Sequence, residues 1–172
     1  MEVTVYTRKN PPCPYCEETK ATLIKHGIAF EEIDVSKPGF DKEHLKTVIA
    51  PGATTVPVIF INGKWLKKGN EALQKLDLEA LKKIKYPEDK FRAKLRGDIC
   101  EVTFIKVDGS TRVMKATLNQ RVIPVDKHPK TDDTSDTTSE DTITTIVKAY
   151  DIEAHGWRSI DLTRVIQVEQ LT

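Results

Sequence analysis

Apolar and polar positions alternate from the start of the chain. Val3, Val5 and Tyr6 form a short β-branched and aromatic run that ends in the turn-rich Arg8-Lys9-Asn10-Pro11-Pro12, and this pattern predicts a strand. Tyr15 to His26 favours a helix, with Gly27 placed to end it in a left-handed conformation. Ile28 to Val35 reads as a second strand with Ile28, Phe30 and Ile33 as its apolar bulk, and Asp41 to Ala50 as a helix with Leu45, Val48 and Ile49 on one stripe. Pro51-Gly52 breaks that helix. Val56 to Ile61 is the most apolar run of the chain and reads as a buried strand; Asn62-Gly63 is a strong hairpin signal, and Lys64 to Lys67 is the returning strand. Asn70 is placed to cap a last helix through about residue 84, with Leu73, Leu76, Leu78 and Leu81 as its apolar positions. The order β-α-β-α-β-β-α predicts an α/β fold with a mixed four-stranded sheet, a parallel βαβ unit followed by an antiparallel hairpin.

The texture changes near Tyr86-Pro87-Glu88-Asp89-Lys90. Residues 1–85 read as one domain, 86–97 as a linker and 98–172 as a small β domain. Ile99 to Val107 and Thr111 to Leu118 are strand-like and joined by Asp108-Gly109; Ile143 to Tyr150, Trp157 to Ile160 and Val165 to Val168 complete about five short strands. No helix is expected among them, and the arrangement fits a small barrel or rolled sheet. The segment 131–142 (TDDTSDTTSEDT) carries no apolar residue and is expected to be a disordered acidic loop.

Composition narrows the classes further. Lys+Arg 27 against Asp+Glu 26 leaves no global charge signature of a nucleic-acid or membrane binder. No stretch approaches the roughly 18 apolar residues of a membrane span, and MEVTVYTRKN does not read as a signal peptide. Three cysteines, two of them in one Cys-x-x-Cys, do not make the disulfide framework of a secreted domain. The expected location is the cytoplasm.

The candidate chemistry lies at Cys13 and Cys16. A Cys-x-x-Cys at a strand-to-helix junction puts its first sulfur at a helix N-terminus, where unpaired N–H groups and the macrodipole favour the thiolate. A free cysteine titrates near ~8.5, and sites of this kind bring it to about 3.5–7.5. The second sulfur follows one turn later, less exposed and within reach of a mixed disulfide. Pro14 costs nothing at an early helical position. Other readings of the spacing are a chance pair or half of a zinc site, but neither His26 nor His44 stands at a recognisable ligand spacing and Cys100 lies in another region. Thr55-Val56-Pro57 places a proline at the mouth of a buried strand. It reads either as an ordinary strand-edge proline or as a cis bond that presents the Val56 backbone at a surface.

With CPYC, the TVP triplet and the IFING hairpin in this order, residues 1–84 resemble a dithiol glutaredoxin. The resemblance implies a thioredoxin-like fold with the Val56-Pro57 loop facing Cys13 and Cys16. It implies glutathione as the reducing co-substrate, with no metal. It implies a glutathione site made by Arg8 or Lys9, Tyr15, Thr55, Val56, Pro57, Gly69 and Asn70. Cys13 is then the nucleophile and Cys16 the resolving cysteine. The partners implied are disulfide-containing proteins, ribonucleotide reductase among them by resemblance alone, with no membrane and no nucleic acid. The chain departs from the family pattern in a longer loop before Cys13, in Ala53-Thr54 before the triplet, and in Lys68-Gly69-Asn70-Glu71 where a Gly-Gly-x-Asp is usual. Rival readings are a thioredoxin-like reductant recharged by a flavoenzyme, a binding module whose β domain carries the function, and an iron–sulfur carrier.

Met114 to Leu118 and His155-Gly156-Trp157-Arg158-Ser159 resemble an Sm-like or SH3-like barrel module of tailed-phage proteins, which for a phage protein implies the host cytoplasm. Trp157 and Arg158 offer a stacking surface with Arg112, Lys115 and Arg121 as phosphate contacts. The more ordinary reading is a core tryptophan and a solvated basic face. Cys100 is expected to be a buried small hydrophobe.

Overall fold

The computed structural model describes residues 1–129 and 143–171, and the chain divides into two compact units, the first over Met1–Glu79 and the second beginning at Ala80. The acidic segment 131–142 lies outside the described residues.

In the first unit, β1 (Val3–Thr7) leads into α1 (Pro14–Lys25), then β2 (Glu31–Asp34), α2 (Lys42–His44), β3 (Val58–Ile61), β4 (Lys64–Leu66) and α3 (Gly69–Lys75), and α4 (Leu78–Lys82) begins at the unit's end and runs past the boundary at Ala80. The sheet order is β2-β1-β3-β4, with β1 parallel to β2 and antiparallel to β3, and β3 antiparallel to β4. This is the thioredoxin-like fold. Period-two alternation sorts the side chains of β1: Val3, Val5 and Thr7 are buried, while Thr4 and Tyr6 are half-buried on the opposite face. On that second face Tyr6 meets Phe40 and Phe60 edge-on, over a cluster of Val35, Leu45, Ala50 and Val58. Asn62 and Gly63 both take positive φ (51° and 78°), as the tight turn between β3 and β4 requires.

The helical reading of 41–50 changes in form. After α2 the chain widens into a π-helical turn over Leu45–Ile49, in which Ala50 N–H reaches back five residues to the Leu45 carbonyl. The extra residue per turn rotates the stripe, so Leu45 is buried and Ile49 half-buried while Val48 stands 62% exposed. The last helix is also broken. Leu76 is extended (φ −79°, ψ 139°), which separates α3 from α4. In a straight helix Leu78 would point about 140° away from Leu73 at 3.6 residues per turn; the break lets Leu73, Leu78 and Leu81 all be buried.

The second unit holds α5 (Glu88–Gly97), β5 (Cys100–Ile105), β6 (Thr111–Thr117), β7 (Ile146–Asp151), β8 (Gly156–Asp161) and β9 (Val165–Gln170). The strands form one antiparallel sheet in the order β8-β7-β6-β5-β9. The five-stranded antiparallel sheet matches the β domain expected over 98–172, whereas the segment 86–97 expected as a linker is mostly helix. Residues 88–97 form a helix because Phe91 and Leu95, one turn apart, are fully buried in the core with Cys100, Val102, Met114, Ala116, Val147 and Ile160. Acidic Glu88 and Asp89 in the first turn and Lys94 and Arg96 in the last complement the helix dipole.

Candidate active site

Strand β1 delivers the chain to a loop, residues 8–12, that is tied down before the cysteines begin. The Lys9 and Asn10 N–H groups donate to Ser36 Oγ (3.3 and 3.2 Å), and Lys9 N–H also donates to Asp34 Oδ1. The Ser36 hydroxyl, foremost, and the Ser36 N–H in turn hold the Asp34 carboxyl below its ordinary range. Arg8 Nε donates to the Pro11 carbonyl at 3.0 Å, folding the loop on itself.

Cys13 caps α1 from an extended conformation (φ −120°, ψ 102°), and Pro14 opens the helix, where its missing N–H leaves nothing unpaired. The Cys16 N–H donates to Cys13 Sγ at 3.2 Å and to the Cys13 carbonyl at 3.1 Å, and Glu17 N–H donates to the same carbonyl. A sulfur that accepts a backbone N–H at a helix N-terminus is stabilised as thiolate once reduced. Cys13 and Cys16 form a disulfide with Cα atoms 5.2 Å apart. Both sulfurs are sheltered: Cys13 is 5% exposed and Cys16 1%. The order of exposure agrees with the spacing argument, but Cys13 is far more enclosed than a helix terminus alone implies. The reason is the opposing loop, whose Val56 carbonyl oxygen lies 3.7 Å from Cys13 Sγ.

That loop carries a cis Val56–Pro57 bond. Thr55 is exposed, Val56 half-buried and Pro57 buried, and β3 begins only at Val58. The Val56 N–H donates to no group among the described residues. Gly69 packs behind Pro57 with φ +52°, and a Cβ there would stand 2.6 Å from the Pro57 carbonyl oxygen. Glycine is required at this position on both counts.

Asn70 is not the cap of α3; Lys68 occupies the cap position and Asn70 is the second helical residue. Its side chain is spent inside the unit. Oδ1 accepts from Thr19 Oγ1 (3.0 Å) and Gln74 Nε2 (3.2 Å), and Nδ2 donates to Glu18 Oε2 (2.9 Å). Tyr15 stands 63% exposed one residue past Pro14. The structure therefore brings Cys13, Cys16, Thr55, Val56, Pro57 and Gly69 to one place, with Tyr15 on the adjoining helix turn and Arg8 and Lys9 on the preceding loop. Below it, Thr7 Oγ1 donates to Glu32 Oε1 at 2.8 Å, and Lys20 bridges Glu17 (2.8 Å) and Glu32 (3.2 Å).

The candidates of the second unit are already engaged within it. Trp157 is half-buried, its indole N–H donating to the Lys127 carbonyl at 2.9 Å and its ring edge-on to Tyr150. It is neither core nor a free stacking platform. Arg112 pairs with the buried Asp151 and Lys115 with Glu153, so two of the three basic candidates already face carboxylates. Cys100 is fully buried, and burial pushes its thiol up. Among the described residues no group of three or more His, Cys, Asp or Glu could hold a metal.

The pinning of the loop by Asp34 and Ser36 and the Thr19–Asn70 link escaped the sequence reading. Asp34-x-Ser36 was visible as a local turn signal, whereas Thr19 and Asn70 are far apart in the chain and carry no joint pattern.

A dithiol pair at the first helix of a thioredoxin fold, faced by a cis-proline turn, defines a thiol–disulfide oxidoreductase. The chain belongs to the glutaredoxin family: the Glutaredoxin family model matches residues 3–66. Glutaredoxin 3 of Escherichia coli (strain K12) is 36% identical over 62 residues, which are 36% of this chain and 70% of that protein. Hybrid peroxiredoxin hyPrx5 of Haemophilus influenzae is 36% identical over 73 residues, 42% of this chain but 28% of that protein. Thus the match spans little more than a quarter of that relative's length. Among solved structures, reduced Escherichia coli glutaredoxin is similar at 25% identity and a TM-score of 0.38, covering 46% of this chain and 99% of its own. The model WYL_2, Sm-like SH3 beta-barrel fold, matches residues 89–166 and so takes in most of α5.

Proposed function

We propose that the first unit reduces protein disulfides or glutathione mixed disulfides and is itself recharged by glutathione. The observation that carries this reading is the open Val56 backbone, whose carbonyl oxygen lies 3.7 Å from Cys13 Sγ beside an N–H with no partner among the described residues. An extended cysteinyl peptide can pair with that N–H and C=O as a strand does, which delivers its sulfur to Cys13. Tyr15, Thr55 and Pro57 wall the cleft. Arg8 and Lys9 supply cations for a carboxylate, and the backbone at Gly69 and Asn70 supplies N–H groups for another; the Asn70 side chain is engaged elsewhere.

The thiolate of Cys13 attacks one sulfur of the substrate disulfide, forming a mixed disulfide and expelling the other sulfur as a thiolate that takes up a proton. Cys16, as thiolate, attacks Cys13 Sγ, closing the Cys13–Cys16 disulfide and releasing the second substrate thiol. Two glutathione molecules then return two electrons, leaving the dithiol and glutathione disulfide. For a glutathione mixed disulfide, Cys13 alone suffices: it takes the glutathionyl group, and a second glutathione removes it.

The same reading makes the two units separate modules, with the β unit's role distinct from the redox step, and ribonucleotide reductase a candidate substrate. A cytoplasmic setting suits a dithiol catalyst kept reduced by glutathione. No helix among the described residues is long and apolar enough to cross a membrane.

The test is reduction of a small glutathione mixed disulfide by the full chain with glutathione, NADPH and glutathione reductase, run beside thioredoxin reductase. Turnover only in the glutathione arm is expected. Turnover only with thioredoxin reductase would replace glutathione by a flavoenzyme as the reductant.

A further inference from the structure

The link between α1 and α3 runs directly into the reactive sulfur's surroundings. At one end, Thr19 is fully buried three residues after Cys16, and its hydroxyl donates to Asn70 Oδ1 at 3.0 Å. Glu18 and Gln74 complete the contact, Glu18 accepting from Asn70 Nδ2 and Gln74 donating to both Asn70 Oδ1 and Thr22 Oγ1. At the other end, Asn70 adjoins Gly69, whose backbone sits so near the Pro57 carbonyl that no Cβ fits between them. Pro57 follows Val56, and the Val56 carbonyl faces Cys13 Sγ. The path closes on itself, since Cys13 and Thr19 belong to the start and middle of the same helix.

We propose that Asn70 is a positioning residue for Cys13: by bolting the start of α3 to Thr19, it seats Gly69 behind Pro57 and so fixes the distance of the Val56 carbonyl from the sulfur. This rests on the disulfide-exchange reading of the site but not on glutathione as reductant. Two effects on Cys13 follow from that distance. A carbonyl oxygen facing the sulfur favours the protonated thiol and opposes the thiolate, against the Cys16 N–H that favours it. The same carbonyl and its neighbouring N–H must stand at strand distance for an incoming peptide to present its sulfur in line.

Cutting the link therefore moves two readouts in directions that general loosening of the fold does not. In Asn70→Ala the Val56 carbonyl recedes, so the Cys13 thiol titrates lower, by about half a pH unit. At the same time kcat/KM for a mixed disulfide falls about tenfold, mainly through KM. Thr19→Val, nearly isosteric, removes the opposite end of the same bond and should reproduce both changes. The double variant should lose no more than either single one, because both act through one link. Gln74→Ala keeps the Thr19–Asn70 bond and should stay within twofold of the parent.

The experiment uses the full chain, reduced, with iodoacetamide alkylation of Cys13 followed by mass spectrometry across pH, beside turnover. The alkylation arm needs no glutathione, so it reads the proposal even where glutathione-dependent turnover is missing. If Asn70→Ala does not fold, Thr19→Val carries the test. A lowered Cys13 titration in both variants, with non-additive loss, supports the assignment. An unchanged titration overturns it, whether or not turnover falls, since a fall alone would place Asn70 in contact with substrate. Additive losses, or equal losses in Gln74→Ala, overturn it as well.

Discussion

Gly69 stands against Pro57 with no room for a side chain: a Cβ on Gly69 would lie 2.6 Å from the Pro57 carbonyl oxygen, at a φ of +52°. Gly69→Ala therefore meets two penalties, a left-handed backbone and a clash with main chain that cannot swing away. Gly63 provides the internal comparison, because its φ is +78° but nothing lies within 4 Å of its added Cβ. Gly63→Ala should cost about 1 kcal/mol from backbone conformation alone. Gly69→Ala should cost about 2–4 kcal/mol and also reduce turnover. Urea unfolding followed through Trp65 in a Trp157→Phe background measures both. Equal costs at the two glycines would mean that the chain yields at Pro57 without penalty.

The two cysteines are unequal in setting, and their variants should be unequal in effect. Cys13 faces the Val56 carbonyl and retains 5% exposure, while Cys16 is 1% exposed one turn along the helix. Cys13→Ser should lose all disulfide-reducing activity. Cys16→Ser should keep removal of glutathione from a small glutathionylated peptide and lose reduction of protein disulfides that need a resolving thiol. Parallel loss in both assays for Cys16→Ser would show that every productive cycle passes through the intramolecular disulfide.

What the sequence made legible here is what local chemistry writes in consecutive residues. CPYC before a helix and Asn-Gly between two strands each name a backbone conformation, and the structure has both; Val-Pro at a strand mouth left two conformations open, and the structure takes the cis one. The mixed character of the sheet was legible too, because a parallel βαβ unit and a hairpin leave few topologies; the order β2-β1-β3-β4, with β1 antiparallel to β3, comes from the structure. Long-range contacts were not legible. Nothing near Asn70 announces Thr19, and nothing near Gly69 announces Pro57, since these pairs meet only after the sheet forms. The helix at Glu88–Gly97 does carry local marks: Pro87 before it, acids in its first turn, and Phe91 and Leu95 one turn apart are those of an amphipathic helix. Charged residues around a two-residue apolar stripe made the segment look like a tether.

Glu32 gives the first unit a pH dependence of definite sign. The Thr7 hydroxyl, foremost, and the Lys20 ammonium hold its carboxyl below the ordinary glutamate value of 4.5. A carboxyl titrating lower in the folded than in the unfolded chain contributes stability above the unfolded value, and that contribution fades as pH falls toward and through the folded one. The melting temperature of the first unit should therefore drop more steeply below about pH 4.5 in the parent than in Glu32→Gln, which binds no proton there. Thr7→Val should flatten the profile in the same sense. Superimposable profiles for parent and Glu32→Gln would show that the network does not distinguish the two charge states of this carboxyl.

Phe91 offers a test of whether the two units work independently within the intact chain. It is fully buried among Leu95, Cys100, Val102, Met114 and Val147, and belongs wholly to the core of the second unit. Phe91→Ala removes that ring from a packed interior and should cost about 3–5 kcal/mol, a large share of the roughly 5–15 kcal/mol that holds a small domain together. If the segment 86–97 were a tether, the same change would cost almost nothing. In Phe91→Ala the calorimetric profile should separate into two transitions, the lower one carrying the loss of the β unit's near-UV signal from Trp157. Disulfide-exchange activity, measured between the two transitions, should remain within tenfold of the parent at the same temperature. A fall beyond tenfold, worth about 1.4 kcal/mol of transition-state stabilisation, would make the second unit a working part of the redox site. Each unit's fully buried set argues for the first outcome: Leu23, Leu73 and Val5 in one, Phe91, Leu95 and Ile160 in the other. A core complete in itself can be lost without unfolding its neighbour.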